Sequence, residues 1–127
     1  MKVIENLKDK LSKYPHIIYQ IEGNTLSIEP SDEKGFPITF SYHENEYTVS
    51  FGNWHGRFTS EEDVIDFIGL GLSKNCRLRE VSRGGKAFRW TIESIIDGKW
   101  HTVYETAYLS LKFWEKPKEV IFQNNFI

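Results

Sequence analysis

Apolar residues near the start of the chain recur at the spacing of one helical face. This face consists of Val3, Ile4, Leu7 and Leu11, with charged residues between and beside them. The pattern predicts a short amphipathic helix. Pro15 disfavours helical geometry in the residue before it, so the helix is predicted to end there.

A second helix is predicted to begin at Thr59. The sequence Thr-Ser-Glu-Glu matches a capping box, in which the Thr59 hydroxyl caps the helix and Glu62 reaches back. An apolar stripe follows, made of Val64, Ile65, Phe67, Ile68 and Leu72. Gly69 and Gly71 predict either fraying of the last turn or close packing against a neighbouring element.

Between the two helices the hydrophobic period changes to two. Alternation over 17–28, with a turn at 23–24, predicts one hairpin. Residues 38–51 predict a second hairpin, in which one face is apolar and the other is polar. A two-residue turn places Tyr42 opposite Tyr47 in that hairpin.

After the second helix, turn sequences predict a three-stranded meander. The turns lie at the Gly-Gly pair 84–85 and the Asp-Gly pair 97–98, and the last strand is predicted to run to Trp114. Residues 119–126 predict a final extended segment, which gives the order α-β-β-β-β-α-β-β-β-β. This order predicts a single α+β domain over residues 1–127, in which two helices back an antiparallel, mainly meander sheet of about seven or eight strands.

The composition excludes several classes of protein. The 127 residues carry 16 Lys and Arg against 18 Asp and Glu, a net charge of −2, which argues against a protein held on DNA by a strong positive field. A single cysteine cannot form an internal disulfide, and no apolar run is long enough for a signal peptide or a spanning helix. We therefore expect a cytoplasmic protein that does not bind a membrane.

Sequence motifs of catalysis and metal binding are absent. None of the four histidines has a His, Cys or carboxylate partner at a recognised metal spacing, and Cys76 is the single cysteine. No nucleophile elbow, phosphate-binding glycine loop or dinucleotide fingerprint occurs. We therefore expect no catalytic residue, no metal and no cofactor.

The first candidate binding cluster lies in the connector before the second helix. Glycines on both sides of a Trp-His pair predict a sharp turn that presents these two side chains at a loop tip. The cluster comprises Asn53, Trp54, His55 and Arg57, whose donors suit a polar or anionic group. In the competing interpretation, the indole covers the core and the imidazole satisfies a backbone carbonyl.

The second candidate binding cluster lies on the hairpin around 84–85. A regular two-residue turn places Arg79 opposite Trp90 and gathers basic and aromatic side chains on one face. The cluster comprises Arg77, Arg79, Arg83 and Trp90, with Lys86 and Phe88 beside them. Such interleaving suits single-stranded nucleic acid, but arginine stems also cover apolar surface without any ligand.

These features predict a small, soluble, non-catalytic binding or interaction protein whose partner is another protein or a second copy of the chain. Two alternatives stay open. In the first, the sheet encloses a small-molecule or active-site cavity. Its aromatic lining is then Trp90, Trp100 and Tyr104, with His55 or His101 as the polar group. In the second, the 77–90 hairpin binds single-stranded nucleic acid, which the net negative charge disfavours.

Overall fold

The computed structural model of the chain describes residues 2–111 and 114–127, which contain two helices and nine strands. Helix α1 (Lys2–Leu11) precedes five strands, namely β1 (Tyr19–Glu22), β2 (Thr25–Ile28), β3 (Ile38–His43), β4 (Glu46–Phe51) and β5 (Trp54–Phe58). Helix α2 (Glu61–Leu72) is followed by β6 (Cys76–Arg83), β7 (Lys86–Ile96), β8 (Lys99–Ala107) and β9 (Lys118–Phe122). The predicted α+β class is confirmed, and the additional strand is β5, which replaces a predicted connector.

Strands β1 to β5 form a five-stranded antiparallel sheet in sequence order. The β3–β4 hairpin has the predicted register, with Tyr42 opposite Tyr47. Glu44 and Asn45 both have positive φ, 49° and 65°, as the tight turn between these strands requires. The predicted register therefore holds where a two-residue turn joins two strands without a bulge.

Strands β6 to β9 form a second antiparallel sheet, in the order β8-β7-β6-β9. The strands divide between two sheets at α2, since β6 pairs with β7 and β9 and not with β5. Phe88 of β7 has no partner on β6, so the register shifts at this bulge. Trp90 consequently lies opposite Glu80, and the predicted pairing of Trp90 with Arg79 was wrong. One extra residue moves every later side chain of a strand to the other face.

The hydrophobic core lies between the inner faces of the two sheets and the two helices. Phe51 of β4 stacks on Phe67 of α2, with ring centroids 4.4 Å apart. A Cβ placed on Gly71 would come within 2.4 Å of the Phe51 ring. Gly71 therefore allows α2 to approach the sheet closely, which is the second of the two roles predicted for the glycines of this helix.

The N-cap of α2 is Ser60, one residue beyond the predicted cap. Its backbone is extended, with φ −116° and ψ 132°, and its Oγ accepts a hydrogen bond from the Asp63 N–H at 3.3 Å. A capping hydroxyl satisfies an N–H two or three residues further along. Because the helix begins at Glu61, Ser60 holds this position and Thr59 does not.

Asn124 connects the C-terminal segment to two other parts of the fold. Its side chain is buried, and its Oδ1 accepts hydrogen bonds from the N–H groups of Ser31 and Phe36, both at 3.2 Å. Its Nδ2 donates to the carbonyl oxygens of Phe36, at 2.9 Å, and Gly71, at 3.2 Å. Because these bonds go to both segments, Asn124 holds the 30–36 loop and the end of α2 together. Both polar atoms of this buried side chain are thereby satisfied.

Candidate binding surface on the four-stranded sheet

The first predicted cluster does not form a loop tip. Gly52 has φ +57°, so the chain turns within two residues and Trp54 pairs directly with Phe51 as the start of β5. Trp54 is only 4% exposed, and its Nε1–H donates to Thr106 Oγ1 at 3.2 Å. Gly56 makes room for the indole, since a Cβ there would lie 2.6 Å from Trp54 Cη2. The Trp54 indole therefore belongs to the core, as in the competing interpretation.

The polar members of this cluster lie apart from Trp54. His55 and Arg57 are exposed on the other face of β5, and Arg57 Nε is 3.7 Å from Glu46 Oε2. Asn53, in the turn before β5, donates from Nδ2 to Glu80 Oε1 at 3.1 Å. The four residues therefore do not converge on one ligand-sized site.

Two arginines of the second predicted cluster, Arg77 and Arg79, lie in an ion-pair network on the outer face of the four-stranded sheet. Arg77 Nε is 2.7 Å from Glu93 Oε1, and the Arg77 guanidinium lies 4.2 Å from the centroid of the Trp100 ring. Arg79 contacts Glu93 at 3.4 Å and Glu119 at 2.7 Å. Hydrogen bonding to Arg79 lowers the pKa of Glu119. The charges of Arg77 and Arg79 are thus matched by carboxylates, whereas attraction of phosphates needs cations without such partners.

Trp90 faces the other side of this sheet. Its Nε1–H donates to Glu80 Oε1 at 2.8 Å, and the same oxygen accepts the Asn53 hydrogen bond. Glu80 therefore joins one residue from each predicted cluster. Trp90 and Tyr104 lie on the inner face while Trp100 lies on the outer face, so the predicted aromatic lining of a single cavity was wrong.

Arg83 differs from the other arginines of the hairpin. No carboxylate pairs with it among residues 2–111 and 114–127. Its Nε is buried without a hydrogen-bond partner, as is the Nε of Arg79. Its guanidinium carbon lies 5.0 Å from the centroid of the Phe88 ring, within the range of a cation–π contact. Arg83 therefore presents a charge that the described part of the chain does not neutralise.

A cleft of about 670 Å³ lies beside this guanidinium. One wall is the end of the β6–β7 hairpin, from Arg83 to Phe88, and the other is the chain from Tyr108 to Leu111. We call this feature the hairpin cleft. Its second wall is apolar and open to solvent, since the exposed fractions of Tyr108, Leu109 and Leu111 are 63%, 87% and 73%.

The second wall of the hairpin cleft begins beside the bulged residue Phe88. Ala107 is the last residue of β8, and beyond it the Tyr108 N–H donates to the Phe88 carbonyl oxygen at 2.7 Å. The Tyr108 ring meets the Trp90 ring edge-on, with centroids 5.8 Å apart. These contacts anchor the start of the second wall, after which the chain leaves the sheet.

The sequence pattern predicted residues of one wall of the hairpin cleft and not of the other. Arg83, Lys86 and Phe88 were named, but residues 108–111 were assigned to a strand running to Trp114. That prediction was wrong, because β8 ends at Ala107; its continuation over 112–113 lies outside the described residues. The available signal was the Tyr-Leu-Ser-Leu sequence, which places apolar residues at neighbouring positions and not only on one face.

The described residues contain no site for a metal ion and no reactive thiol. No three side chains among His, Cys, Asp and Glu there lie close enough to hold a metal ion. Cys76 is buried, and burial raises the pKa of its thiol to about 12, so the reactive thiolate is scarce at neutral pH. No helix within 2–111 or 114–127 has the length and apolar character needed to cross a bilayer.

Comparisons with known proteins do not assign the chain to a family. No protein-family model, no curated protein and no solved structure matches it. Its function therefore has to be inferred from its own residues.

Proposed function

We propose that this chain is a non-catalytic binding domain that docks another protein at the hairpin cleft. The observation that carries the proposal is the exposed apolar wall formed by Tyr108, Leu109 and Leu111. Single exposed apolar side chains are common on soluble proteins, but a contiguous group beside a concave surface marks an interaction site. As a binding domain with one buried thiol and no disulfide, it is expected to work in the cytoplasm.

The residue types of the hairpin cleft suit protein recognition better than catalysis. Tyrosine and arginine are enriched among the residues that dominate protein interfaces, and Tyr108 and Arg83 lie on opposite walls. The charged side chains that line the cleft within the described residues are Arg83 and Lys86. General acid–base catalysis needs a base within reach of an acid, and neither an imidazole nor a carboxylate is part of this lining.

Selection of peptides from a random library tests the proposal. Selected peptides should bind the unaltered chain, and the double variant Leu109→Ser, Leu111→Ser should bind them at least about tenfold more weakly, since burial of each leucine contributes roughly 1.5–3 kcal/mol. The matched control is Ile96→Ser, because Ile96 is 55% exposed at the other end of β7. Failure to select any peptide, or peptides that bind all three proteins equally, would contradict the proposal. A dimer that the double variant abolishes would identify the partner as a second copy.

The volume of the hairpin cleft favours one further candidate, a small amphipathic anion. Sites for small molecules commonly enclose about 300–1,000 Å³, and the cleft has about 670 Å³. Calorimetric titration with dodecanoate separates the two candidates. Saturable binding of dodecanoate that Leu109→Ser abolishes, with no peptide selected, would favour the small molecule.

A further inference from the structure

We infer that Arg83 is the receptor for a carboxylate, and that the hairpin cleft binds a partner segment in which an Asp or Glu is flanked by apolar side chains. The inference rests on the proposed function and goes beyond it by naming the chemistry of the partner. It follows from the ion-pair partners of the arginines, from the position of the Arg83 guanidinium and from the charges around the cleft.

Arg83 is the exception among the five arginines of the sequence. Each of the other four has a carboxylate within 4.0 Å, namely Arg57, Arg77, Arg79 and Arg89. Within residues 2–111 and 114–127, every arginine except the one at the cleft therefore has a carboxylate partner. A guanidinium is always charged, and its planar set of donors matches a carboxylate, often through two parallel hydrogen bonds.

The Arg83 guanidinium lies in a defined environment and does not extend freely into solvent. It lies over the ring of Phe88, which is the bulged residue of β7 and lines the cleft. Its Nε is buried and receives no acceptor from the described residues. The Nε of Arg79 is unpaired too, but the terminal nitrogens of Arg79 bind Glu93 and Glu119. Arg83 differs because no atom of its guanidinium has a carboxylate partner among the described residues.

The charges around the cleft define the occupant as acidic and apolar. Arg83 and Lys86 line the hairpin wall, and Leu109 and Leu111 line the apolar wall. The adjoining hollow behind the turn contains Lys116 and Lys118 against one carboxylate, Glu115. Charge complementarity favours an Asp or Glu of the partner segment near Arg83. The apolar residues next to that Asp or Glu in the partner's sequence then contact the second wall.

The test uses peptides selected on the unaltered chain and measures their binding by fluorescence anisotropy. We expect an Asp or Glu flanked by apolar residues in the selected set. Arg83→Gln should weaken binding by about tenfold or more, since it removes the hydrogen bonds of the guanidinium to a charged group. Replacing the peptide's acidic residue by its amide should weaken binding to a similar extent. The two changes together should add little, because they remove the same interaction.

Two further variants make the result specific to the guanidinium. Arg83→Lys keeps the charge without the planar fork, so its affinity should lie between those of the unaltered chain and Arg83→Gln. Lys99→Gln removes one charge from the exposed start of β8, and it should leave binding unchanged. Unfolding of each variant by urea shows whether any loss of affinity reflects loss of the fold.

The outcomes separate this inference from the proposed function. One outcome would overturn the role of Arg83 as carboxylate receptor but would still support the docking surface. In it, the selected peptides lack acidic residues, bind Arg83→Gln normally and do not bind Leu109→Ser. Peptides insensitive to both variants, or no peptides at all, would overturn both proposals. Equal losses of affinity in Arg83→Gln and Lys99→Gln would show that binding depends only on the net charge of the chain. That outcome would also overturn the inference.

Discussion

The five-stranded sheet buries most of its aromatic side chains, whereas the four-stranded sheet leaves its own partly exposed. Phe40 and Phe51 of the first sheet are inaccessible to solvent, and Trp54 is nearly so. Trp90 and Trp100 of the second sheet are half-buried and contact charged groups, Glu80 for Trp90 and Arg77 for Trp100. A high aromatic content therefore has two physical explanations in one small chain.

This difference assigns separate roles to the two sheets. Aromatic burial stabilises the fold through apolar area and close ring contacts, and the five-stranded sheet provides most of it. Strand β8 forms an edge of the four-stranded sheet, and seven of its nine residues are exposed. Substitutions in the first sheet should therefore change stability, and substitutions at the hairpin cleft should change binding.

The largest expected effect is the loss of stability in Phe51→Ala. This ring is fully buried and stacks on Phe67, so its removal should lower the free energy of unfolding by about 3–5 kcal/mol. The matched substitution in the other region is Tyr108→Ala, which should cost less than about 1 kcal/mol because Tyr108 is mostly exposed. Urea denaturation measures both. Similar losses of stability in the two variants would contradict the assignment of stability to the first sheet and of binding to the hairpin cleft.

A pair of glycines in α2 gives effects of intermediate size and opposite sign. Gly71→Ala should destabilise the chain by about 1–3 kcal/mol, because the new Cβ would meet the Phe51 ring at 2.4 Å. Gly69→Ala should stabilise it by about 0.5–1 kcal/mol, because no heavy atom lies within 4 Å of the new Cβ. Thermal unfolding of the two variants provides the comparison. A stabilising Gly71→Ala would show that α2 does not depend on close packing against the first sheet.

The sequence predicted the parts of the fold that local pattern controls. Period-two alternation and two-residue turns gave the hairpins of the first sheet, and helical spacing gave α1 and α2. Contacts between residues that are distant in the chain could not be predicted from these local patterns. Asn124 holds its site through Ser31, Phe36 and Gly71, and no local pattern marks an asparagine that bonds to residues so far away in the chain.

The candidate site was half predictable for the same reason. Arg83, Lys86 and Phe88 follow a glycine turn, so their proximity could be inferred from the sequence. The bulge at Phe88 could not, and it changes the partner of Trp90 on β6. The neighbouring apolar residues Tyr108 and Leu109 interrupt the alternation after Ala107, but the residue at which strand pairing ends depends on the partner strand.

The smallest expected effect concerns the ion pair of Arg79 and Glu119 on the second sheet. Its hydrogen bond lowers the pKa of Glu119, so the contribution to stability is present above the unfolded-state pKa, about 4.3 for glutamate. That contribution is lost as the pH falls through the lower pKa of the folded state. Glu119→Gln should therefore be slightly less stable than the unaltered chain at neutral pH, and the difference in urea unfolding should disappear in acid. High salt should also reduce this difference, because the pair is partly exposed. A difference that persists in acid would show that Glu119 does not stabilise the second sheet through its negative charge.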